Sequence, residues 1–151
     1  RDLHSFPTRR SSDLAIARKE LTPFGVVNLD LNGLKVANDL YGHEAGDALL
    51  IYASEILKSV FSHENIFRTG GDDFLVIKEN VSKESFKEKM KQIREEAIKY
   101  PDISFAVGDF WSDGTTDITS ALQQADERMY ADKKAYYDSH PEKERRGRRG
   151  V

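Results

Sequence analysis

Carboxylates at two places in the chain could together hold a divalent metal ion. Asp30 lies near the end of an apolar run, and Asp72 and Asp73 follow a Gly-Gly pair. Two carboxylates about 4 Å apart repel each other by ~4 kcal/mol at an effective dielectric constant near 20, and protonation or an intervening cation relieves that repulsion. Oxygen ligands without a neighbouring His or Cys suit Mg²⁺, which usually completes its shell with water and substrate phosphate. The pattern therefore indicates a metal and triphosphate site, provided that the fold brings the two places together.

Each of these carboxylates also has an ordinary structural interpretation. The run Gly70-Gly71-Asp72 is typical of a hairpin turn, because glycine and aspartate favour the backbone angles that such turns need. Asp30 could instead cap a short helix that follows it. On these two features alone, a turn and a metal site remain equally open.

A second group of polar residues, between Leu34 and Asp47, has side chains suited to reading a nucleotide base. Asn38 offers a donor and an acceptor, and Asp47 offers two acceptor oxygens at the expected start of a helix. Together they could bind a guanine edge, with the carboxylate accepting from N1–H and the 2-amino group. The alternatives are an N-cap for Asp47, a surface amide for Asn38 and a structural contact for His43.

Apolar periodicity predicts the elements that position these residues. We predict strands at Phe24–Leu31, Asn65–Arg68, Asp73–Lys78 and Ile103–Gly108, and helices at Lys35–Tyr41, Asp47–Phe61, Ser82–Tyr100 and Thr119–Tyr137. The order β-α-α-β-β-α-β-α predicts an α+β fold, a ferredoxin-like palm whose central antiparallel sheet carries the hairpin, with helices over one face. If the hairpin pairs beside the first strand, Asp30 comes close to Asp72 and Asp73.

Length and composition fit one soluble domain. The chain has 151 residues, a net charge of -3 and no cysteine. The acidic balance argues against a general nucleic-acid or membrane-surface binder, and a polyphosphate ligand would need local cations. No apolar stretch approaches the ~20 residues needed to span a bilayer. The lack of cysteine excludes disulfides and a Cys nucleophile, and it suits a reducing cytoplasm.

The two ends of the chain differ from the middle. Residues 1–14 lack periodicity, and FPTRRSSDL within them resembles a translated sequencing adapter, with a genuine disordered leader as the alternative. Residues 15–138 form the expected domain, which begins with the last turns of a truncated helix. Residues 139–151 are a Pro-interrupted charge run, for which we expect a disordered, solvated tail in preference to a nucleic-acid-binding arm.

Four blocks of the sequence resemble, in order and spacing, those of the GGDEF domain family. They are DLNGLKVANDLYGHEAGD at 30–47, RTGGDDF at 68–74, ISFAVG at 103–108 and ADERMYADKKAYY at 125–137. The family comprises the diguanylate cyclases, bacterial enzymes that join two GTP molecules into the second messenger cyclic di-GMP. The likeness covers Phe24 to about Tyr137 and carries a GGDDF variant of the signature motif.

The resemblance implies a nucleotidyl cyclase-like palm and gives each block a role. The implied metal ligands, for Mg²⁺ or Mn²⁺, are Asp30, the backbone carbonyl of Leu31, Asp72 and Asp73. The implied catalytic residues are Asp72 and Asp73. The implied GTP-binding residues are Gly33, Leu34, Lys35, Asn38, His43, Asp47, Gly70, Gly71 and Lys133. Among these, the Gly33–Leu34 bend and the two lysines would bind the triphosphate, and Asn38 and Asp47 the guanine.

In the implied reaction the ribose 3′-hydroxyl of one GTP attacks the α-phosphorus of the other, and pyrophosphate leaves. Because each monomer would hold one GTP, the active unit should be a two-fold homodimer with facing sites. We also expect an upstream sensory domain in the full-length protein, and a cytoplasmic location that includes the cytoplasmic part of a membrane-anchored sensor. We expect neither a nucleic-acid partner nor a membrane segment in this chain.

The chain departs from the family pattern at several positions. Asp73 stands where the family usually has glutamate, and Tyr137 where many members carry a second phosphate-binding arginine. The stretch Phe61-Ser-His-Glu64 replaces the Arg-x-x-Asp of the inhibitory product site, so product inhibition through that site is predicted absent. The family's opening Leu-Thr-x-Leu-x-Asn-Arg block is missing.

These departures keep two other functions open. One is a catalytically weak or inactive module that binds GTP and passes its state to a partner. The other is the palm of CRISPR-associated oligoadenylate synthases, which also use a Gly-Gly-Asp-Asp turn. The Asn-Asp-x-Tyr-Gly-His-x-x-Gly-Asp block argues against the second of these.

Overall fold

Four antiparallel strands form one sheet among residues 22–69, 73–100 and 103–140, the ranges that the computed structural model describes. The strands are β1 (Phe24–Leu31), β2 (Ile66–Thr69), β3 (Asp73–Glu79) and β4 (Phe105–Ser112), in the spatial order β2-β3-β1-β4. The helices are α1 (Leu34–Tyr41), α2 (His43–Val60), α3 (Lys83–Ala97) and α4 (Ile118–Ser139), with a short 3₁₀ turn at His63–Asn65. The predicted α+β fold and the order of its elements are confirmed. Within these ranges no helix is long and apolar enough to cross a membrane.

Helices cover both faces of the sheet, which corrects the expectation that they cover one. Val27 and Leu29 of β1 belong to a buried cluster with α2 and α3, whereas Val26 belongs to a second cluster with α4. Successive side chains of a strand point to opposite faces, so an almost continuous apolar run such as β1 needs cover on both sides. The near-absence of polar residues in the first half of β1 is the sequence signal for this arrangement.

Several predicted element boundaries shift, and the two largest changes are at the start of α2 and at the end of β4. Helix α2 begins at His43, not at Asp47, because Gly42 has a φ of 87° and turns the chain directly from α1 into α2. Asp47 therefore lies inside α2 and is neither its N-cap nor at its start. Strand β4 continues beyond Gly108 to Ser112, where Trp111 pairs with Gly25 and donates its indole N–H to the carbonyl of Val81 at 2.8 Å.

Helix α4 lies close against β4 because Gly108 has no side chain. A Cβ at this position would lie 2.9 Å from the Cα of Met129 and closer still to other backbone atoms of α4. Asp132 accepts a hydrogen bond from the Val107 amide at 2.9 Å, and Arg128 donates to the Asp109 carbonyl at 2.7 Å. These contacts hold α4 along β4, and its C-terminal half then reaches the end of β1.

Asp117 caps the N-terminus of α4. Its carboxylate accepts a hydrogen bond from the backbone amide of Ser120 at 3.2 Å. The side-chain hydroxyl of Ser120, and secondly its backbone amide, favour the charged form and hold the pKa of Asp117 below its ordinary value. The helix that carries Lys133 and Tyr137 therefore begins at a defined residue and is held along β4.

Candidate functional site

Asp30 and Asp73 face each other across two neighbouring strands. They are Cα partners in the antiparallel register of β1 and β3, and both side chains are half-buried. Residues directly opposite in an antiparallel pair project to the same face with Cβ atoms roughly 5 Å apart. The predicted proximity of Asp30 to Asp73 is thus confirmed, although their roles as metal ligands remain predictions.

The hairpin between β2 and β3 carries the signature turn. Thr69 pairs with Asp73, so residues 70–72 connect the two strands. The predicted roles of Gly70, Gly71 and Asp72 lie outside the described residues. What the structure does fix is the position of Asp73, because it is the first residue of β3.

Helix α4 supplies the polar neighbours of the β1 carboxylate. Lys133 donates to the carboxylate of Asp30, and the two side chains are 27% and 16% exposed. Two residues earlier on β1, Asn28 donates to the carboxylate of Asp126 at 2.9 Å. The cation at Asp30 offsets the repulsion expected between two opposed carboxylates. The assignment of Lys133 to a triphosphate stays a prediction, since its partner in this structure is Asp30.

The bend between β1 and α1 depends on Gly33. This residue has a φ of 72° and a ψ of 13°, in the left-handed region that glycine adopts without a steric penalty. Its backbone amide donates to the hydroxyl of Tyr137 at 3.1 Å. Leu34 is buried in the core, and Lys35 is exposed. An amide predicted to bind phosphate is therefore hydrogen-bonded to Tyr137, at the position where the resemblance implies an arginine in many members.

The predicted guanine-binding residues lie where α1 meets α2. Asn38 of α1 is half-buried, and its carboxamide lies against Gly46 of α2. The Oδ1 of Asn38 is buried and has no hydrogen-bond partner among the described residues. His43 and Asp47 are both exposed on α2, Asp47 directly after Gly46. The carboxamide of Asn38 therefore packs beside Gly46, the residue that precedes Asp47.

The donor set at the strand ends is chemically suited to a hard divalent cation. Asp30 and Asp73 provide carboxylate oxygens, and Leu31 is next to Asp30 on the chain. Mg²⁺ is usually bound through one or two carboxylates, with water and phosphate completing its shell. Within the described ranges there is no group of three or more His, Asp or Glu side chains that could hold a metal by themselves. Further ligands would have to come from the backbone, Asp72, water or substrate.

Sequence reasoning missed several polar residues around the site. Asn32 is 8% exposed; its side-chain amide donates to the Ser104 hydroxyl at 3.0 Å, while its Oδ1 is buried without a partner in the described part of the chain. It lines a cavity of about 810 Å³ beside α1 that Gly33 and Tyr136 also line. The only sequence signal for Asn32 was a polar residue immediately after an apolar strand.

Another cavity, of about 440 Å³, lies between the sheet and α4. It has a mixed lining to which Asp73 contributes from β3, Asn28 from β1 and Asp126 from α4. No sequence motif indicated this cavity, because it depends on side chains that lie far apart along the chain. The cavity leaves open space beside Asp73 on the face of the sheet that α4 covers.

Comparison with known proteins agrees with this geometry. The family model described as "Diguanylate cyclase, GGDEF domain" matches residues 4–138. Diguanylate cyclase DgcP of Escherichia coli K12 is 38% identical over 117 residues, which cover 70% of this chain and 34% of DgcP. The chain thus spans about a third of the length of the curated relatives it matches.

Two solved structures are similar over most of the chain. A microbial GGDEF domain studied for its interaction with cyclic di-GMP has a TM-score of 0.68 and 28% identity, over 85% of this chain and 88% of that one. The active GGEEF domain of a diguanylate cyclase from Vibrio cholerae has a TM-score of 0.64 and 26% identity, over 80% and 82%. With the family model, the shared fold and the opposed strand-end carboxylates all in agreement, this chain belongs to the GGDEF domain family.

Proposed function

We propose that this chain is a Mg²⁺-dependent diguanylate cyclase, which condenses two GTP molecules into cyclic di-GMP and releases two pyrophosphates. The observation that carries the proposal is the opposition of Asp30 and Asp73 at neighbouring strand ends. Membership of a family whose relatives are named diguanylate cyclases supports it. The fold alone would not support an inference of diguanylate cyclase activity, because one fold can host many activities.

The chain's own residues would bind and orient the substrate. Asn38 and Asp47 would hold the guanine, and the Gly33 amide with Lys35 and Lys133 would hold the triphosphate. Mg²⁺, or Mn²⁺ in its place, would be held by Asp30, the Leu31 carbonyl, Asp72 and Asp73. When bound, the metal would supply positive charge against the phosphate oxygens.

The reaction then depends mainly on positioning. The 3′-oxygen of one GTP forms a bond to the α-phosphorus of the other, and the bond from that phosphorus to the β-phosphate oxygen breaks. The hydroxyl proton passes to a carboxylate or to water, and pyrophosphate leaves with the bonding electrons. A second, identical step closes the ring, which requires two facing chains if each holds one GTP.

Incubation of the purified chain with GTP and Mg²⁺ tests the proposal. We expect one cyclic di-GMP for every two pyrophosphates, and a rate per chain that rises with protein concentration as homodimers form. Asp73→Asn should lower the rate by about 100-fold, because the amide can neither hold the metal nor accept a proton as a carboxylate does. Consumption of GTP without cyclic di-GMP contradicts the proposal.

Two observations favour a second candidate, a GTP-binding regulatory module with little or no turnover. The Gly33 amide is hydrogen-bonded to Tyr137, and position 73 carries the shorter aspartate. Asp73→Glu separates the two functions. A large gain in turnover would mean that the natural site is weakened by its shorter side chain, whereas an active wild type with little change on substitution supports the cyclase. Turnover of ATP in place of GTP would instead support the oligoadenylate synthase alternative.

A further inference from the structure

Gly46 of α2 lies directly beneath the side chain of Asn38. A Cβ built at position 46 would lie 2.7 Å from the Cγ of Asn38 and 3.0 Å from its Nδ2, with the Oδ1 closer still. Gly46 is buried within the first turns of the helix. The carboxamide of Asn38 therefore occupies the space that any side chain at position 46 would need.

The backbone of Gly46 gives no reason for a glycine at this position. The described glycines with a positive φ are Gly33, Gly42 and Gly114, and Gly46 is not among them. Glycine inside a helix destabilises it by roughly 0.5–1 kcal/mol relative to alanine. A helical glycine with ordinary backbone angles thus indicates a packing requirement, and the atoms that impose it here are those of Asn38.

The Asn38 carboxamide is held with its acceptor unused. Its Oδ1 is buried, and none of the described residues donates a hydrogen bond to it. Buried acceptors almost always have a partner, since an unsatisfied one destabilises the fold. This oxygen is the atom of Asn38 nearest to the vacant Cβ position of Gly46, so it faces α2, and the amide nitrogen lies farther from that position.

We propose that Gly46 is a positioning residue for base recognition. Its missing side chain lets the Asn38 carboxamide lie against α2, with Oδ1 turned towards Gly46. The identity of that base rests on the proposed function. Because Asn38 is the flexible end of a side chain, an added methyl group at position 46 would move it away without preventing folding.

The variant Gly46→Ala tests this role, with Ser59→Ala as its matched control. Ser59 is exposed on the same helix and does not contact Asn38, so its replacement adds helix propensity without moving the carboxamide. We expect Gly46→Ala to weaken GTP binding about tenfold by titration calorimetry, because the Asn38 carboxamide leaves the position from which it would hydrogen-bond the base. We also expect its melting temperature to stay at or above that of the wild type.

A double-variant cycle shows whether the effect acts through Asn38. Asn38→Ala should weaken GTP binding about tenfold, and adding Gly46→Ala to it should weaken binding no further, as coupled residues are not additive. Additive losses would overturn the proposal, since Gly46 would then act independently of Asn38.

A spectroscopic measurement separates this proposal from the proposed function. The side-chain ¹⁵N–¹H₂ resonances of Asn38, identified by their loss in Asn38→Ala, should move in Gly46→Ala and stay in Ser59→Ala. Unmoved resonances overturn the positioning role whatever the ligand. If the wild type binds no GTP, the proposed function fails, while a shift of these resonances still supports the placement of Asn38 by Gly46.

Discussion

Lys133 of α4 forms an ion pair with Asp30 at the end of β1, directly opposite the neighbouring carboxylate of Asp73. The pair is mostly buried, so water screens it less than a surface salt bridge. Its position means that a lysine ammonium now stabilises a carboxylate to which the family resemblance assigns a metal. Any divalent ion at Asp30 must therefore share this carboxylate with Lys133 or displace the lysine towards another anion.

Replacement of Lys133 should change metal and nucleotide affinity in opposite directions. In Lys133→Ala we expect Mn²⁺ to bind several-fold more tightly without nucleotide, because a competing cation near Asp30 is gone. GTP in the presence of Mg²⁺ should bind about tenfold more weakly, because one charge that balances the triphosphate is lost. Water proton relaxation measures the first quantity, and titration calorimetry measures the second.

The neighbouring lysine provides the control for that experiment. Lys134 pairs with Asp138 at 3.1 Å on the exposed side of the same helix, where an ion pair contributes little. Lys134→Ala should leave both affinities unchanged. Equal Mn²⁺ affinity in Lys133→Ala and the wild type would show that the ion pair does not compete with metal binding.

Removal of the Tyr137 hydroxyl should strengthen GTP binding. The hydroxyl now accepts the Gly33 amide at 3.1 Å, so this donor is not available to phosphate until that bond breaks. Tyr137→Phe frees the amide, and a neutral hydrogen bond of ordinary net strength corresponds to a gain of about two- to tenfold in affinity. Calorimetry with GTP and Mg²⁺ measures the gain.

Tyr130→Phe is the matched control, because that hydroxyl belongs to a side chain 68% exposed on the same helix. It should leave GTP affinity unchanged. Weaker binding by Tyr137→Phe would mean instead that the hydroxyl contributes to the nucleotide site.

Local patterns predicted the bounds of β1 and the start of β3 correctly, but they could not predict which helix reaches the end of β1. The apolar run Phe24–Leu31 coincides with β1, and the hairpin placed Asp73 beside Asp30, because strand period and turn chemistry are local properties. The contacts of Lys133 with Asp30 and of Tyr137 with Gly33 join residues more than 100 positions apart. They depend on how α4 packs, and no local pattern encodes that packing.

The helix that carries Asp47 was misplaced for a related reason. Asp47 looked like an N-cap because aspartate is common there, but Gly42 already provides the change of direction that lets α2 begin at His43. The free acceptor of Asn38 and the space above Gly46 were equally beyond sequence reasoning, since both arise from contact between two helices.

A side chain at position 108 should destabilise the fold and disturb the site together. A Cβ there would meet backbone atoms of Ala125 and Met129, which cannot rotate away as a side chain does. We expect Gly108→Ala to lower the free energy of unfolding by about 1–3 kcal/mol, the typical cost of overpacking. Chemical denaturation measures the loss, with an unchanged slope if the unfolded state is the same.

The same substitution should reduce the GTP affinity of the fraction that remains folded, because α4 carries Lys133. Ala131→Gly on the exposed side of α4 is a useful comparison: it lowers helix propensity without touching β4. A wild-type stability for Gly108→Ala would show that α4 can move outward without a penalty.

Cyclic di-GMP should not inhibit this chain through the stretch that precedes the hairpin. Where the family's inhibitory site begins with arginine, this chain has Phe61, which is 3% exposed and packs in the core with the ring 5.7 Å from the Lys89 ammonium. An arginine can bind phosphate with two parallel hydrogen bonds, and a buried phenyl ring offers none. Initial rates at saturating GTP should therefore be equal with and without added cyclic di-GMP. Inhibition that persists at saturating GTP would contradict this prediction, whereas inhibition relieved by more GTP would be competition at the substrate site.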